Sequence, residues 1–324
     1  MTTKPDLLTD EFRALSARLG SDPLQVQGAG GNTSIKDGAV MWIKASGTQL
    51  AQANTEEIFV AVDRRAALAE AREQAGDGSC KTTVIDPAVT LRPSIETTFH
   101  AAFDHAVVAH THSISTLVHV ICAEGRKEAA RKLEGLPFVL VPYAKPGLPL
   151  TREIMARVTP ETQVVLLQNH GLICCGGSVT EVSHLIADVE HRLRLGPSSK
   201  PDNASTGAVP DGYAWSDHGW IGRDPRAAKA ALAGSYYPDH VVFLGPGLPG
   251  PDTAEGRPAV VVEGQGVLLR EDATAAQRAM LKCLSDVLQR VPEGWHPEPI
   301  GPEAEAELLN WDAEKYRQAL AARS

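Results

Sequence analysis

The sequence predicts an α/β protein of two units, on three observations. Short apolar runs rich in β-branched residues alternate with stretches of helical periodicity over residues 1–195. A polar stretch rich in Gly, Pro and Ser, "GPSSKPDNASTGAVPDG", then interrupts the pattern. Beyond it, strand-like and helix-like runs resume. We therefore place a first unit at residues 1–198, a linker at 199–209 and a smaller α/β unit at 210–324, with no internal repeat.

Each element has its own signal. Leu8, Phe12, Leu15 and Leu19 recur at helical spacing and stop at Gly20, so a helix opens the chain. "NTSIK" and "AVMWIKA", separated by "DG", predict a β-hairpin. "IFVAVD" predicts a further strand, followed by an Ala-rich helix to about Gln74, and "GDGSCKTTVIDPAVT" reads as a loop. Ser94 is placed to cap a helix through Ile95, Phe99, Ala102 and Phe103. "AVVAHTHS", "FVLVPYA" and "QVVLLQNHGLICC" read as strands. "SVTE" at 178–181 has the form of a capping box, and Val182, Leu185, Ile186, Val189 and Leu193 form the buried stripe of the helix it starts. In the second unit "HVVFLG" and "PAVVVEGQGVLLR" read as strands. A helix with Met280, Leu281, Leu284, Val287, Leu288 and Val291 on its inner face follows. Trp220, Trp295 and Trp311 are expected as core or interface anchors.

Composition narrows the function classes. The 324 residues are 43% hydrophobic and 22% charged, which fits a soluble globular protein with a sizeable core. A formal charge of −9 argues against a nucleic-acid partner, while leaving room for an anionic small substrate at a locally positive site. The opening "MTTKPDLLTDEF" lacks the apolar centre of a signal peptide, and no apolar run approaches the span of about 18 residues that a bilayer requires. The cysteines (Cys80, Cys122, Cys174, Cys175 and Cys283) are odd in number and scattered, as expected of reduced thiols in the cytoplasm. Adjacent Cys174 and Cys175 read as strand packing.

Four features can carry chemistry. His110 and His112 alternate along a strand and so face one side, where two neutral imidazoles suit one cation. An H-x-H pair also occurs by chance on surface loops. His170, in "LLQNHGLI", follows an apolar strand; it reads as a satisfied core histidine or as the third ligand of an open catalytic zinc site. Glu96 lies near a helix start, where an acid complements the helix dipole or serves catalysis. "GAGGNTS" and "KASGT" cluster glycines with small polar residues, as in simple turns or in a cradle for phosphate or carboxylate. Their spacing is neither a P-loop nor a dinucleotide fingerprint.

In this order, "GAGGNTSIK…IKASGT…RPSIETTFH…AHTHS…LLQNHGLI" resembles the class II aldolase/adducin family over roughly residues 8–195. The resemblance implies a three-layer α/β/α domain with a mainly antiparallel central sheet, assembled as a homotetramer with sites at subunit interfaces. It implies that His110, His112 and His170 hold Zn2+, or another divalent cation such as Mn2+, and that Glu96 is the catalytic carboxylate. It places Asn32, Ser46, Gly47 and Ser94 at the substrate's anionic end. The implied reaction is retro-aldol cleavage of a small phosphorylated sugar or sugar-acid derivative through an enediolate, with the cation as Lewis acid and Glu96 moving the proton.

The chain also departs from the family. Apolar Ile95 stands where the sugar-phosphate aldolases have a second serine, and the segments on either side of the H-x-H pair are shorter. The tyrosine expected in the later one has no counterpart, leaving Tyr143 of "VPYAKPG", or Tyr236, Tyr237 or Tyr316 of the second unit, as candidate proton donors. "YYPDHVVFLG", "VVVEGQGVLL" and "NWDAEKYRQAL" resemble the extension of rhamnulose-phosphate aldolase/dehydrogenase fusions, so Asp239 and His240 either line the site or serve a strand edge. Epimerisation of a pentulose phosphate at C4, dehydration of a sugar phosphate, and a non-catalytic adducin-like interaction module are the alternatives.

Overall fold

A computed structural model describes residues 3–198 and 204–321. The first unit contains α1 (Asp10–Ser21), β1 (Asn32–Asp37), β2 (Val40–Lys44), β3 (Phe59–Asp63), α2 (Arg64–Ala71), α3 (Thr97–Ala102), β4 (Val107–Thr111), α4 (Ile114–Val120), α5 (Ala123–Lys132), β5 (Phe138–Val141), α6 (Leu148–Met155), β6 (Val164–Leu167), β7 (Gly171–Gly176) and α7 (Val179–Leu193). The strands form one seven-stranded sheet in the order β3-β2-β1-β4-β7-β6-β5. All its pairs are antiparallel except β5 with β6.

Alternation along the strands builds three layers. Val107, Ala109, Leu172 and Cys174 point to one face, where they pack with Phe12 and Leu15 of α1 and Val182 and Val189 of α7. Val108, Ile173 and Cys175 point to the other, against Phe99 of α3 and Leu150 and Ile154 of α6. The neighbouring cysteines thus serve opposite cores, and all five are free thiols.

The second unit contains β8 (Tyr213–Trp215), α8 (Trp220–Arg223), α9 (Pro225–Ala233), α10 (Pro238–Leu244), β9 (Ala259–Val262), β10 (Gly266–Arg270), α11 (Ala275–Leu288), α12 (Pro302–Leu309) and α13 (Asp312–Ala321). Its three strands pair in the order β8-β10-β9. Its core includes Ile114, Leu117, Val118 and Ile121, on and just after α4 of the first unit, packed with Met280, Leu281 and Leu284 of α11. The linker expected over 199–209 falls partly outside the described residues. Among the described residues no helix is long and apolar enough to cross a membrane.

Several local expectations are corrected. "HVVFLG" lies in helix α10, not a strand; every residue of that helix is buried, so no polar face marks its period, and Pro238 starts it. Ser94 does not cap α3, which begins at Thr97; its hydroxyl instead accepts from the Glu96 N–H at 3.2 Å in the preceding turn. Only half of the "SVTE" capping box forms: Ser178 accepts from Glu181 N, but the Glu181 carboxylate accepts from Gly177 N at 2.8 Å. "QVVLLQNHGLICC" divides into β6 and β7 around a tight turn, with Asn169 at φ 54, a left-handed conformation that Asn tolerates. Trp311 is half-buried beside a cavity, with Lys145 over its ring at 5.1 Å.

Two histidines in the shared core shape acid stability. Burial pushes His240 down to about 3 and His119 down to about 4, and among the described residues neither His240 ring nitrogen has a hydrogen-bond partner. Both stay neutral in the native state while the unfolded chain takes up protons below about pH 6.5. The stability they contribute is complete above that pH and is lost as pH falls towards 4 and 3. We expect urea unfolding free energy to fall between pH 6.5 and 5, with His240→Leu reducing the slope by up to about 1.4 kcal/mol per pH unit. An unchanged slope in the variant would remove His240 from this account.

Candidate metal centre

Register assembles the centre. The β1–β4 pairing sets Asn32 opposite His110, and β4–β7 sets His110 opposite Ile173, close to the turn that carries His170. β4 ends at Thr111, and Ser113 caps α4 by accepting from Thr116 N at 3.1 Å. His112 is thereby fixed between a strand end and a capped helix.

The three imidazoles converge. Ring centroids are 5.0 Å apart for His110 and His112, 4.9 Å for His110 and His170, and 5.5 Å for His112 and His170. One nitrogen from each lies within 4.8 Å of the others, and all three residues are buried. His110 Nδ1 lies 3.0 Å from the Leu172 carbonyl, which can only accept, so Nδ1 carries the proton and Nε2 a lone pair. Burial lowers the pKa of His110 and brings that of His170 down to about 3, leaving both rings neutral near pH 7.

Glu96 faces this group from the turn before α3. Its oxygens lie 3.6 Å from His110 Nε2 and 3.4 Å from His170 Nε2. Burial opposes its ionisation, but the imidazoles and an amide donor outweigh it and hold the carboxyl below its ordinary value. That donor is Asn32, whose Nδ2 reaches Glu96 Oε2 at 2.7 Å. The Asn32 amide is oriented in turn: its Oδ1 bonds to His100 Nε2, and His100 Nδ1 bonds to the Ser34 hydroxyl at 2.7 Å. A carboxamide oxygen can only accept, so His100 donates from Nε2 and Ser34 donates to Nδ1.

This donor set fits a divalent cation. Among the described residues, His110 Nε2 and Glu96 Oε1 are buried without a hydrogen-bond partner. Three converging imidazoles with an acidic group beside them are a donor set that could hold such an ion, as in an open zinc-type site.

The cavity beside the histidines is narrow, about 30 Å³, roughly the space of one water. Asn32, Ser46, Gly47 and Ser94 all line it, joined by Lys44, Asp239 and Arg317. Lys44 Nζ donates to the carbonyls of Ala29 (2.8 Å) and Gly31 (3.0 Å), fixing the shape of the Gly-rich turn, and burial brings its pKa down to about 7. Leu320 of α13 covers Gly47 so closely that a Cβ there would lie 2.3 Å from Leu320 Cδ1. A wider cavity of about 400 Å³ adjoins through Ser46 and Ile95 and is lined by Lys81, Arg92 and Tyr316.

Tyr143 does not line the narrow cavity; among the described residues its buried hydroxyl has no hydrogen-bond partner. Tyr236 donates to the Ala230 carbonyl at 2.7 Å, and Tyr316 lies against the Arg92 guanidinium, 4.0 Å from the ring centre. Sequence reasoning missed Lys44, His100 and Arg317. A lysine closing an apolar strand, and a histidine four residues after Glu96 on the same helical turn, were the available signals.

Gly171 is what lets β7 approach β4 here. A Cβ at this position would lie 2.3 Å from the Thr111 carbonyl oxygen and 3.3 Å from His110 Cε1. We expect Gly171→Ala to lower stability by about 1–3 kcal/mol in urea titrations. A variant as stable as the parent would show that the backbones have room to spare.

The first unit is similar to known proteins. The family model "Class II Aldolase and Adducin N-terminal domain" matches residues 12–195, more than half of the chain. A solved structure, the N-terminal class II aldolase domain of a conserved protein from Thermoplasma acidophilum, superimposes with a TM-score of 0.51 at 26% identity, covering 60% of this chain and 94% of that one. Over 186 residues, 52% of the chain is 33% identical to the uncharacterized oxidoreductase YuxG of Bacillus subtilis (strain 168), covering 26% of that protein. Over 117 residues, 32% of the chain is 28% identical to the 3-oxo-tetronate 4-phosphate decarboxylase of Escherichia coli (strain K12), covering 55% of it. The chain thus spans about a quarter of the first relative and about half of the second.

Proposed function

We infer that this chain, which belongs to the class II aldolase and adducin family, is a divalent-metal-dependent lyase that cleaves a carbon–carbon bond in a small phosphorylated sugar or sugar-acid derivative. The observation that carries the reading is the convergence of His110, His112 and His170 beside the buried Glu96. In this reading the three imidazoles hold the cation, zinc or another divalent ion such as manganese. When bound, it supplies Lewis acidity to the substrate's carbonyl and hydroxyl oxygens.

The chain's own residues do the rest. In a retro-aldol step the substrate's hydroxyl oxygen gives up its proton to the Glu96 carboxylate and becomes the aldehyde oxygen, the C–C bond breaks, and its electron pair passes to the carbon beside the carbonyl. Glu96 is the group that returns a proton to that carbon, and runs the reverse step as base. Asn32, oriented by His100, keeps the carboxylate aimed at the reacting atoms. Asn32, Ser46, Gly47 and Ser94 anchor the anionic end.

Loss of carbon dioxide is the second reading, favoured by the named activity of the Escherichia coli relative. The carboxyl group then departs as carbon dioxide, its bonding pair stays on the same carbon, and Glu96 delivers a proton there. Trapping products separates the two: an aldehyde marks retro-aldol cleavage, and carbon dioxide marks decarboxylation.

The metal reading predicts about one divalent ion per chain after loading with zinc or manganese, read by elemental analysis. Glu96→Gln should keep that ion and lose roughly 10²–10⁴-fold in turnover. A loaded protein without metal would sink the reading, and unchanged turnover in the variant would remove Glu96 from the reaction.

A further inference from the structure

The second unit reaches into the centre at two points. Asn169, next to His170, donates from Nδ2 to the carbonyls of Tyr236 (3.0 Å) and Glu298 (2.8 Å), tying the turn that carries His170 to the second unit. Asp239, at the start of α10, is 2% exposed and places Oδ2 3.3 Å from His112 Nδ1. Among the described residues this Oδ2 has no hydrogen-bond partner, so nothing there competes for it. Its other oxygen, Oδ1, is held 2.9 Å from Arg317 Nη1 of α13, and the same Nη1 lies 2.9 Å from Glu314 Oε2.

We propose that Asp239 is the positioning residue of His112: its Oδ2 accepts from the Nδ1–H, sets the ring's tautomer and rotation, and turns the other nitrogen to the cation. The second unit thereby completes a metal centre whose histidines all belong to the first. A histidine ligand works best when its second nitrogen donates to a carbonyl or carboxylate, which fixes the ring and raises its basicity. The Leu172 carbonyl does this for His110 at 3.0 Å, and Asp239 is the matching acceptor for His112.

The same contact gives Gly30 a use. A Cβ at Gly30 would lie 2.9 Å from His112 Nδ1 and 3.0 Å from Asp239 Oδ2. This glycine of the "GAGG" run is therefore the gap through which the imidazole and carboxylate meet. The glycine run serves the histidine's orientation as well as any anion.

The inference rests on the reading of the three histidines as metal ligands, and its test separates the two. Zn2+ affinity of the full-length chain is measured by competition with a chromophoric chelator, and the absorption spectrum of the Co2+ form reports ligand geometry. Circular dichroism and the thermal midpoint of the metal-free proteins check the fold. Asp239→Asn should bind Zn2+ roughly 10–100-fold more weakly and alter the Co2+ spectrum. Gly30→Ala leaves every charge in place and should weaken Zn2+ in the same direction; it decides the matter if Asp239→Asn does not fold. A parent protein that binds Zn2+ and folded variants that match it in affinity and spectrum would overturn the role of Asp239 while leaving the metal centre standing. A parent that binds no Zn2+ would overturn both.

Discussion

The antiparallel pairing of β4 with β7 is the constraint on which the rest depends. It sets His110 opposite Ile173 and so brings the β6–β7 turn, with His170, alongside the end of β4. A shift of one residue would turn every side chain of a strand to the opposite face, sending Val108 into the wrong core and His110 away from Glu96. The apolar alternation that stabilises the sheet therefore also fixes the centre. Stability and chemistry use the same register.

Around that frame, burial supplies the electrostatics. Desolvation keeps His110 and His170 neutral, so their lone pairs are free for a cation at neutral pH. The carboxylates that enter the same space do so with partners: Glu96 accepts from Asn32, and Asp239 pairs with Arg317. Arg317 raises the share of Asp239 that is charged, overcoming the burial that opposes it. An ion pair this deep adds little to net stability, because desolvation cancels most of the attraction. Its value lies in holding the Asp239 carboxylate in one orientation beside His112.

The first unit was largely readable from the sequence because its signals are local. Hairpin turns, β-branched runs and the α7 stripe each declare themselves within a few residues, and the H-x-H spacing and Glu96 stand out as polar groups in apolar surroundings. The family resemblance added the grouping of His170 with them. What stayed hidden depends on contacts between distant segments. "HVVFLG" misled because a helix buried all round has no polar stripe, and its apolar run is indistinguishable from a strand. Arg317 reads as one half of an ordinary i, i+3 pair with Glu314 until the fold brings Asp239 to it. The sharing of α4 between both cores is equally invisible, since Ile114 and Leu117 would satisfy either unit.

The most direct measurement of the central claim is X-ray absorption on the zinc-loaded, substrate-free protein. The account predicts a first shell dominated by nitrogen at about 2.0–2.1 Å with multiple-scattering features of imidazole, fitted by three histidines plus light-atom ligands. A shell of oxygen alone, or one fitted by a single imidazole, would contradict it.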